Sequence, residues 1–351
     1  MSFSTLDKTT LNGSLNKTLQ HAGDYIESCQ QDSGAILWFN QGKLDPWDHS
    51  EAIMGLTLSG KFDAAKQGFL WLRTHQNSDG SWYTKYYGDD SAPLDRAKIE
   101  SNFVAYPATA LWHYYLVTND KGFVLEQLPW IRKAIDKVVS LQNNEGDIQW
   151  AESLEEDLPK DALVTACASI TRSLESAINL ARLEGEIPKA WVIAHQELSD
   201  TLKNKPWRFD RTWESKARFS MDWFYPILAG IYSPEEARLR LEERWDEFVK
   251  PGIGCRCVSD EPWVTIAESC ELCLALIAAG QTQSAEKLLS QLMQWQDKDG
   301  GFWTGYSFRD QVIWPQEKPS WTAAAVLLAA DALYKISPAA TLFIQPHNVK
   351  A

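Results

Sequence analysis

A glutamine followed four residues later by a glycine recurs along this chain, and the repeat restricts the possible folds more than any other feature. In the clearest copy, within residues 67–82, a helical run of apolar residues ends at Gln76 and is followed by Gly80 and Trp82. Residues 77–80 do not readily continue a helix, because Gly80 can adopt the positive φ that such a turn needs. Three looser copies pair Gln30 with Gly34, Gln142 with Gly146 and Gln296 with Gly300, each with an aromatic residue nearby. The repetition predicts an array of helix–turn–helix units.

Helical segments of two kinds alternate between these turns. The amphipathic ones are residues 14–31, 61–76, 124–142, 189–203, 234–249 and 281–296. The ones that are apolar almost all round are residues 47–58, 101–117, 161–181, 220–231, 263–279 and 320–334. A helix that is apolar on every side is buried, whereas an amphipathic helix keeps one face in water.

This alternation predicts an all-α (α/α)6 toroid, in which six helical hairpins place an inner ring inside an outer ring. We expect almost no β-structure. We also expect one domain over residues 1–351, with residues 1–12 and 346–351 as loose ends. The long loops would then meet the N-termini of the inner helices at one end of the ring, where unpaired N–H groups suit carboxylates and anions.

The repeat resembles the QW motif of the terpenoid cyclase and protein prenyltransferase superfamily, and in particular that of squalene–hopene cyclase. The matching residues are Gly68, Trp71, Leu72, Gln76, Gly80 and Trp82, with Gln67 departing from the motif. The resemblance implies a single-domain α/α toroid that acts on an isoprenoid-like small molecule. The DPWD segment that ends at Asp48 is similar to the acidic DxDD motif of class II terpene cyclases, but Trp47 stands where that motif has its central aspartate.

Composition excludes several partners and compartments. The 351 residues carry a net charge of −13 and no basic stripe, which argues against nucleic acid. The N-terminus lacks the apolar stretch of a signal peptide, and no apolar run reaches the roughly 20 residues of a membrane span. Six cysteines without a secreted framework favour a reducing cytoplasm. We expect a small-molecule substrate and no transmembrane segment, and we leave peripheral membrane contact open.

Acidic residues fall near the predicted starts of the inner helices, where a proton donor and an ionised partner could meet. These candidate catalytic residues are Asp48, Glu51, Asp161, Asp222 and Glu268. Asp222 is the preferred general acid, because its bulky apolar and aromatic neighbours would raise its pKa by desolvation. Asp48 is the preferred ionised partner. Helix capping explains Asp48, Asp161 and Asp222 about equally well, and a salt bridge to Arg256 or Arg218 is the alternative for Glu268.

Aromatic side chains recur near the same end of the ring and would line a cavity that stacks on isoprenoid carbocations or sugar rings. The candidate substrate-binding residues are Trp47, His49, Tyr106, Trp223, Trp263, Trp303, Tyr306 and Trp321. Core packing is the alternative for any one of these rings.

No cofactor or metal is expected from the sequence. Cys255, Cys257, Cys270 and Cys273 have poor spacing for zinc, because the last two fall within a helix. No histidine pairs with another at helical spacing, and phosphate-binding glycine motifs are absent.

Three functions therefore remain open. The first is an enzyme of the terpene cyclase or prenyltransferase type, as the resemblance implies. The second is a six-hairpin glycosidase-like hydrolase or lyase acting on a saccharide. The third is a non-catalytic toroid that binds a ligand. A mouth rimmed by carboxylates and tryptophans favours an enzyme over a scaffold.

Overall fold

The computed structural model describes residues 13–87, 92–93, 98–153, 155–347 and 349, and it has the alternating helices that the sequence predicts. The inner helices are α2 (Pro46–Leu58), α4 and α5 (Ser101–Ala105 and Pro107–Thr118), α7 (Val164–Glu184), α9 (Ser220–Leu228), α12 (Ile266–Ala278) and α14 (Ser320–Tyr334). The outer helices are α1 (Gly13–Ser28), α3 (Phe62–His75), α6 (Lys121–Ser140), α8 (Lys189–Asn204), α10 and α11 (Pro234–Glu243 and Trp245–Phe248) and α13 (Thr282–Leu292).

The inner helices close into a ring. Each packs against the next along the chain, and α14 packs against α2, so that the last inner helix meets the first. Each outer helix covers the groove beside its own hairpin partner, and α1 covers both α2 and α14. The predicted (α/α)6 toroid is therefore confirmed. No helix in the described part of the chain is long and apolar enough to cross a membrane.

The two ends of the ring differ. We call the end at which the inner helices begin the mouth, and the opposite end the floor. At the floor the C-terminal segment crosses the ring: Phe343 lines the central cavity, Arg172 donates to the carbonyl of Gln345 at 2.8 Å, and the N–H of His347 donates to Gly230 at 3.3 Å. His347, in the stretch expected to be loose, thus contacts the ring, whereas residues 1–12 lie outside the described part of the structure.

Short strands occur in the mouth loops, although the sequence pattern predicted almost no β-structure. They are β1 (Lys43–Leu44), β2 (Tyr86–Tyr87), β3 (Ala92–Pro93), β4 (Lys98–Glu100), β5 (Ala151–Ser153), β6 (Val249–Lys250), β7 (Gly254–Arg256), β8 (Trp263–Thr265), β9 (Gly305–Ser307) and β10 (Val312–Ile313). The last five form an antiparallel sheet in the order β10-β9-β8-β7-β6, which we call the mouth sheet. Strands of two or three residues are too short to show an alternating pattern, and the helix expected from residue 263 begins only at Ile266.

The repeated glutamine–glycine pairs join neighbouring outer helices. In each copy the glutamine side-chain amide donates to the carbonyl of its own glycine and to a carbonyl of the next outer helix, at 2.8–3.1 Å. The second acceptors are Ala64 for Gln30, Trp130 for Gln76, Ala194 for Gln142 and Thr18 for Gln296. The fourth copy therefore links α13 to α1, across the two ends of the chain. These pairs are packing devices of the toroid, independent of any chemistry inside it.

Candidate active site

Two inner helices bring four carboxyl groups into the lumen at two depths. In α2 the third and sixth residues are Asp48 and Glu51, and in α12 the third and sixth are Glu268 and Glu271. Residues three apart share a helix face, so each pair points the same way. The two helices lie on either side of α14. The charge of Glu268 raises the pKa of Glu51, and the charge of Glu51 raises the pKa of Glu271. These four residues, with the neighbouring Asp45, form what we call the acid cluster.

Asp48 and Asp45 lie side by side at the start of α2, and the pKa of Asp48 is the more strongly raised of the two. Asp45 caps α2: its carboxylate accepts the backbone N–H of Asp48 at 2.9 Å and the indole N–H of Trp38 at 3.1 Å. Burial raises the pKa of Asp48 well above its usual range, and Asp45 and Glu51 raise it further. The hydrogen bond between the two carboxyl groups raises the pKa of Asp48 and opposes the rise at Asp45, as expected when Asp48 carries the shared proton.

Glu51 lies deeper in the lumen than Asp48 and is only 4% exposed. Burial raises its pKa to about 8, a hydrogen bond with Trp47 opposes the rise, and the charges of Glu268 and Asp45 add to it. Glu51 is therefore largely protonated at neutral pH, when its carboxyl group can donate a hydrogen bond.

On the far side of α14 from α2, Glu268 has one side-chain oxygen without a partner. Its Oε2 is buried and has no hydrogen-bond partner among the described residues. The basic partners suggested by the sequence are engaged elsewhere: Arg218 pairs with Asp260 at 2.8 Å, and Arg256 donates to the carbonyl of Ser259 at 2.6 Å. A nearby thiol, that of Cys257, hydrogen-bonds to Glu268. One buried oxygen of Glu268 is thus left without a hydrogen-bond partner among the described residues.

Below Glu268, Glu271 accepts a hydrogen bond from the hydroxyl of Tyr225. Burial raises the pKa of Glu271 well above its usual range, and the charges of Glu51 and Glu268 contribute. The aromatic wall beside it consists of Trp47 stacked on Tyr106, with ring centroids 4.4 Å apart and planes within 13°. Tyr225 lies 5.9 Å from Trp47. Carboxyl groups and flat rings thus face the same space.

Further down, the lumen narrows to a cavity with room for roughly one water molecule. Glu51, Glu271, Ser169 and Arg172 line it, together with apolar side chains from the floor. Arg172 is buried and donates to Glu175 and to the carbonyl of Leu228, at 2.9–3.0 Å for the latter. Tyr225, Ser169 and Arg172 are not among the site residues predicted from sequence. An arginine followed three residues later by a glutamate, in a helix half that otherwise carries no charge, was the available signal for Arg172.

Two of the candidate acids are held outside the acid cluster. Asp161 accepts hydrogen bonds from Arg211 at 3.0 Å and from the backbone N–H of Thr212 at 2.7 Å. Burial would raise its pKa, but these and neighbouring hydrogen bonds outweigh burial and lower it. Asp222, the preferred acid from sequence, accepts from the hydroxyl of Thr165 at 2.6 Å and its N–H at 3.3 Å. Burial raises the pKa of Asp222 to about 6.

His49 and Trp223 point away from the lumen. His49 accepts the N–H of Ile36 at 3.1 Å, and its second ring nitrogen lies 3.0 Å from the carbonyl of Gly68, so the ring ties α2 to its surroundings. Burial lowers the pKa of His49 to about 4. The indole N–H of Trp223 donates to the carbonyl of Arg240 in the outer ring at 2.7 Å.

Other candidate rings lie in the mouth loops. Tyr306 packs on Trp295, 4.8 Å away, on the outer side of the mouth sheet, and the ring of Trp303 lies under the ammonium of Lys318 at 4.8 Å. Trp321 contacts Trp38 edge to face at 6.1 Å beside the acid cluster. Trp263 lies on the mouth sheet. The structure thus brings Trp47 and Tyr106 together with the carboxyl groups and directs Trp223, Tyr306 and His49 elsewhere.

The described residues contain no group of three or more His, Cys, Asp and Glu side chains arranged to hold a metal ion. The described cysteines are free thiols. Burial raises the pKa of Cys273 and the other thiols of α12 and β7, which disfavours the thiolate form that binds metals.

The raised pKa of Glu51 predicts a pH-dependent effect on stability. A glutamate in the unfolded chain titrates near pH 4.3. The stability contributed by protonated Glu51 is therefore complete below about pH 4 and is lost as the pH rises through about 8. Glutamine stays neutral, so Glu51→Gln should raise the Tm relative to wild type by more at pH 8 than at pH 5, as measured by circular dichroism.

The control for this experiment is Glu236→Gln in the capping box of α10. The hydrogen bonds of Glu236 with Ser233 and Lys203 lower its pKa to about 2, so both its folded and unfolded forms are ionised between pH 5 and 8. Its effect on the Tm should be the same at both pH values. A Glu51→Gln difference that is equally independent of pH would contradict the assignment of a protonated Glu51.

Comparison with known proteins gives one strong sequence match. The chain is 42% identical over 318 residues to the MMP endo-(1,4)-3-O-methyl-alpha-D-mannosidase of Mycolicibacterium hassiacum, a match that covers 91% of this chain and 86% of that protein. Among solved structures, a wild-type glycosidase superposes with a TM-score of 0.70 at 16% identity, covering 92% of this chain and 99% of the other. A D-mannose isomerase superposes with a TM-score of 0.66 at 13% identity, covering 96% and 99%. At such identity the two structures bear on the fold alone. No protein-family model matches the sequence.

These findings correct the sequence-based interpretation. The resemblance to terpenoid cyclases and prenyltransferases is wrong as a family assignment, and so is the isoprenoid-like substrate, because the strong relative is a mannosidase. The QW-like residues matched for a physical reason: Gln76 and Gly80 join outer helices, and Trp82 is buried with its indole N–H on the carbonyl of Leu72 at 2.8 Å. Such residues serve any toroid of this kind. The findings favour the saccharide alternative.

Proposed function

The chain belongs to the family of the MMP endo-(1,4)-3-O-methyl-alpha-D-mannosidase, and from this membership we propose that it is a glycoside hydrolase. Its substrate would be a chain of (1→4)-linked 3-O-methyl-α-D-mannose, cleaved at an internal bond. The shared family and the acid cluster both support this proposal.

The chemistry is supported by two carboxyl groups in different surroundings: Asp48, whose pKa is raised, and Glu268, which has a buried oxygen without a hydrogen-bond partner. Glycoside hydrolysis needs one protonated carboxyl group to donate to the leaving oxygen and one carboxylate to act on the sugar or on a water molecule. Asp48 has a pKa raised well above its usual range by burial and by the neighbouring Asp45, so it would be the general acid. Glu268 has a buried oxygen without a hydrogen-bond partner and would be the base or nucleophile.

The deeper residues would bind the sugar next to the cleaved bond. A protonated Glu51 can donate a hydrogen bond to a sugar oxygen, and the stacked, largely buried rings of Trp47 and Tyr106 form an apolar wall beside it. An O-methyl group adds apolar surface, which such a wall favours over water. Because the C-terminal segment lies across the floor, the sugar chain would enter and leave through the mouth.

The proposal is tested by incubating the protein with a (1→4)-linked 3-O-methyl-α-D-mannose chain and following the products by mass spectrometry. We expect shorter oligosaccharides, each cleavage adding one water to the summed mass; a lyase would add none. The M. hassiacum enzyme serves as the positive control, and an α-(1→4)-glucan serves as the negative one. Failure to cleave the methylmannose chain under conditions in which the relative cleaves it would overturn the proposal.

A further inference from the structure

The mouth sheet has two faces with different surroundings. In the pairing of β8 with β9, Val264 lies opposite Tyr306, and Trp263 lies opposite Ser307. Tyr306 packs on Trp295 at the end of the outer helix α13, so the face that it shares with Val264 looks toward the outer ring. Successive residues of a strand point to opposite faces. Trp263 therefore lies on the face directed away from the outer ring.

A second indole shares that face. Trp314 follows β10, and its N–H donates to the carbonyl of Gly305 at 3.0 Å, which continues the pairing of β10 with β9. Trp314 is 57% exposed. Its ring lies 5.3 Å from that of Trp263, with the planes 75° apart. Together the two rings make an angled, open aromatic surface, which we call the Trp263–Trp314 platform.

The platform is held in place before anything binds. The indole N–H of Trp263 donates to the carbonyl of Trp314 at 2.6 Å. The indole also lies directly against Gly305: a Cβ at that position would be only 2.4 Å from Nε1 of Trp263. A side chain at residue 305 would displace the ring. A large aromatic surface fixed in this way loses little conformational freedom on binding.

The platform is continuous with the acid cluster along one stretch of chain. Strand β8 runs from Trp263 through Thr265 directly into α12, whose third residue is Glu268. Three strand residues span roughly 10 Å. Trp263 thus lies about one strand length outward of the first turn of α12, on the mouth side of Glu268.

We propose that the Trp263–Trp314 platform is a distal subsite that binds another 3-O-methylmannose unit of the same chain, a proposal that rests on the proposed function. The angled rings offer apolar faces to a neutral sugar. Burying the C–H groups and the methyl ether of the sugar against such a face stabilises the complex. An enzyme that cleaves internally needs its substrate to extend beyond the cleaved bond, and the platform lies where such an extension emerges.

The test compares a long methylmannose chain with the shortest oligosaccharide that the protein cleaves. We expect Trp314→Ala to lower the ratio of kcat/KM on the long chain to kcat/KM on the short one about tenfold, mainly through KM. Trp314→Phe, which keeps a flat ring, should restore most of the ratio. The matched control is Trp207→Ala, which removes a tryptophan that is 68% exposed in a different mouth loop and should leave the ratio unchanged.

Other outcomes overturn the subsite. An unchanged ratio in Trp314→Ala would do so, as would an equal loss for both substrates, or a loss of self-association with no change in KM, which would make the platform a protein contact. If the wild type cleaves neither substrate, the proposed function fails separately. Calorimetric binding of the long chain then decides the subsite: weaker binding to Trp314→Ala than to Trp207→Ala supports it, and equal binding overturns it.

Discussion

Replacing Asp48 by asparagine should lower kcat on the methylmannose chain by about a hundredfold to ten-thousandfold, and Glu268→Gln should do the same. An amide does not exchange a proton at neutral pH, so Asp48→Asn removes the proton that the leaving oxygen requires. Asp45, not Asp48, supplies the cap of α2, so the helix start keeps its hydrogen bond. The Tm should therefore stay within a few degrees of wild type. Product release and thermal unfolding, measured on the same preparations, check both expectations.

Asp222→Asn is the matched control. Asp222 is likewise the third residue of an inner helix, but its side chain accepts from the N–H and hydroxyl of Thr165, and an asparagine oxygen can accept both. Its turnover should stay close to that of wild type. If Asp222→Asn is inactive and Asp48→Asn is active, then the acid is Asp222, as its aromatic neighbours suggested from sequence. If Asp48→Asn fails to fold, then its role is structural.

The second large effect concerns the glycine that joins the ends of the outer ring. Gly300→Ala should reduce the free energy of unfolding by about 2–5 kcal/mol, as measured by denaturant titration. Gly300 has a φ of +93°, and a Cβ there would be 2.2 Å from the carbonyl oxygen of His21 in α1. The unfavourable φ costs about 1–2 kcal/mol, and forcing the helix away costs about 1–3 kcal/mol more.

Gly185→Ala separates these two contributions. Gly185 has a φ of +101°, similar to that of Gly300, but no atom lies within 4 Å of its Cβ position. The substitution should therefore cost only the backbone term, about 1–2 kcal/mol. Equal costs at Gly185 and Gly300 would mean that the close approach of α1 does not explain the glycine in this repeat.

The fold was predictable because its signals are local. The residues of α14 alone show that this helix is apolar on all sides. Gln296 and Gly300 likewise mark their turn within five positions. The family was not predictable from the same residues, because they record how outer helices pack and carry no information about the lumen. Two- and three-residue strands such as β8 left no pattern that could be distinguished from the start of a helix.

The candidate site was predictable only in part, for a related reason. Asp48, Glu51 and Glu268 stand out as carboxyl groups in helices otherwise short of charge. The orientation of Asp222 depends on Thr165, 57 residues away, and that of Asp161 depends on Arg211, 50 residues away. A single sequence gives the spacing of residues along the chain but not which partner a side chain meets across the ring.

Closure of the ring has a consequence for how the chain must fold as it is synthesised. The hydroxyl of Tyr25 donates to the carbonyl of Lys318, and that of Ser320 donates to the carbonyl of Leu37, contacts that span 293 and 283 residues. Until α14 has emerged from the ribosome, the apolar face of α2 that it covers has no partner. Such long-range contacts slow folding and prolong the exposure of apolar surface. The last hairpin therefore completes the fold of the first, and a chain released before that hairpin is made would present an open, aggregation-prone ring.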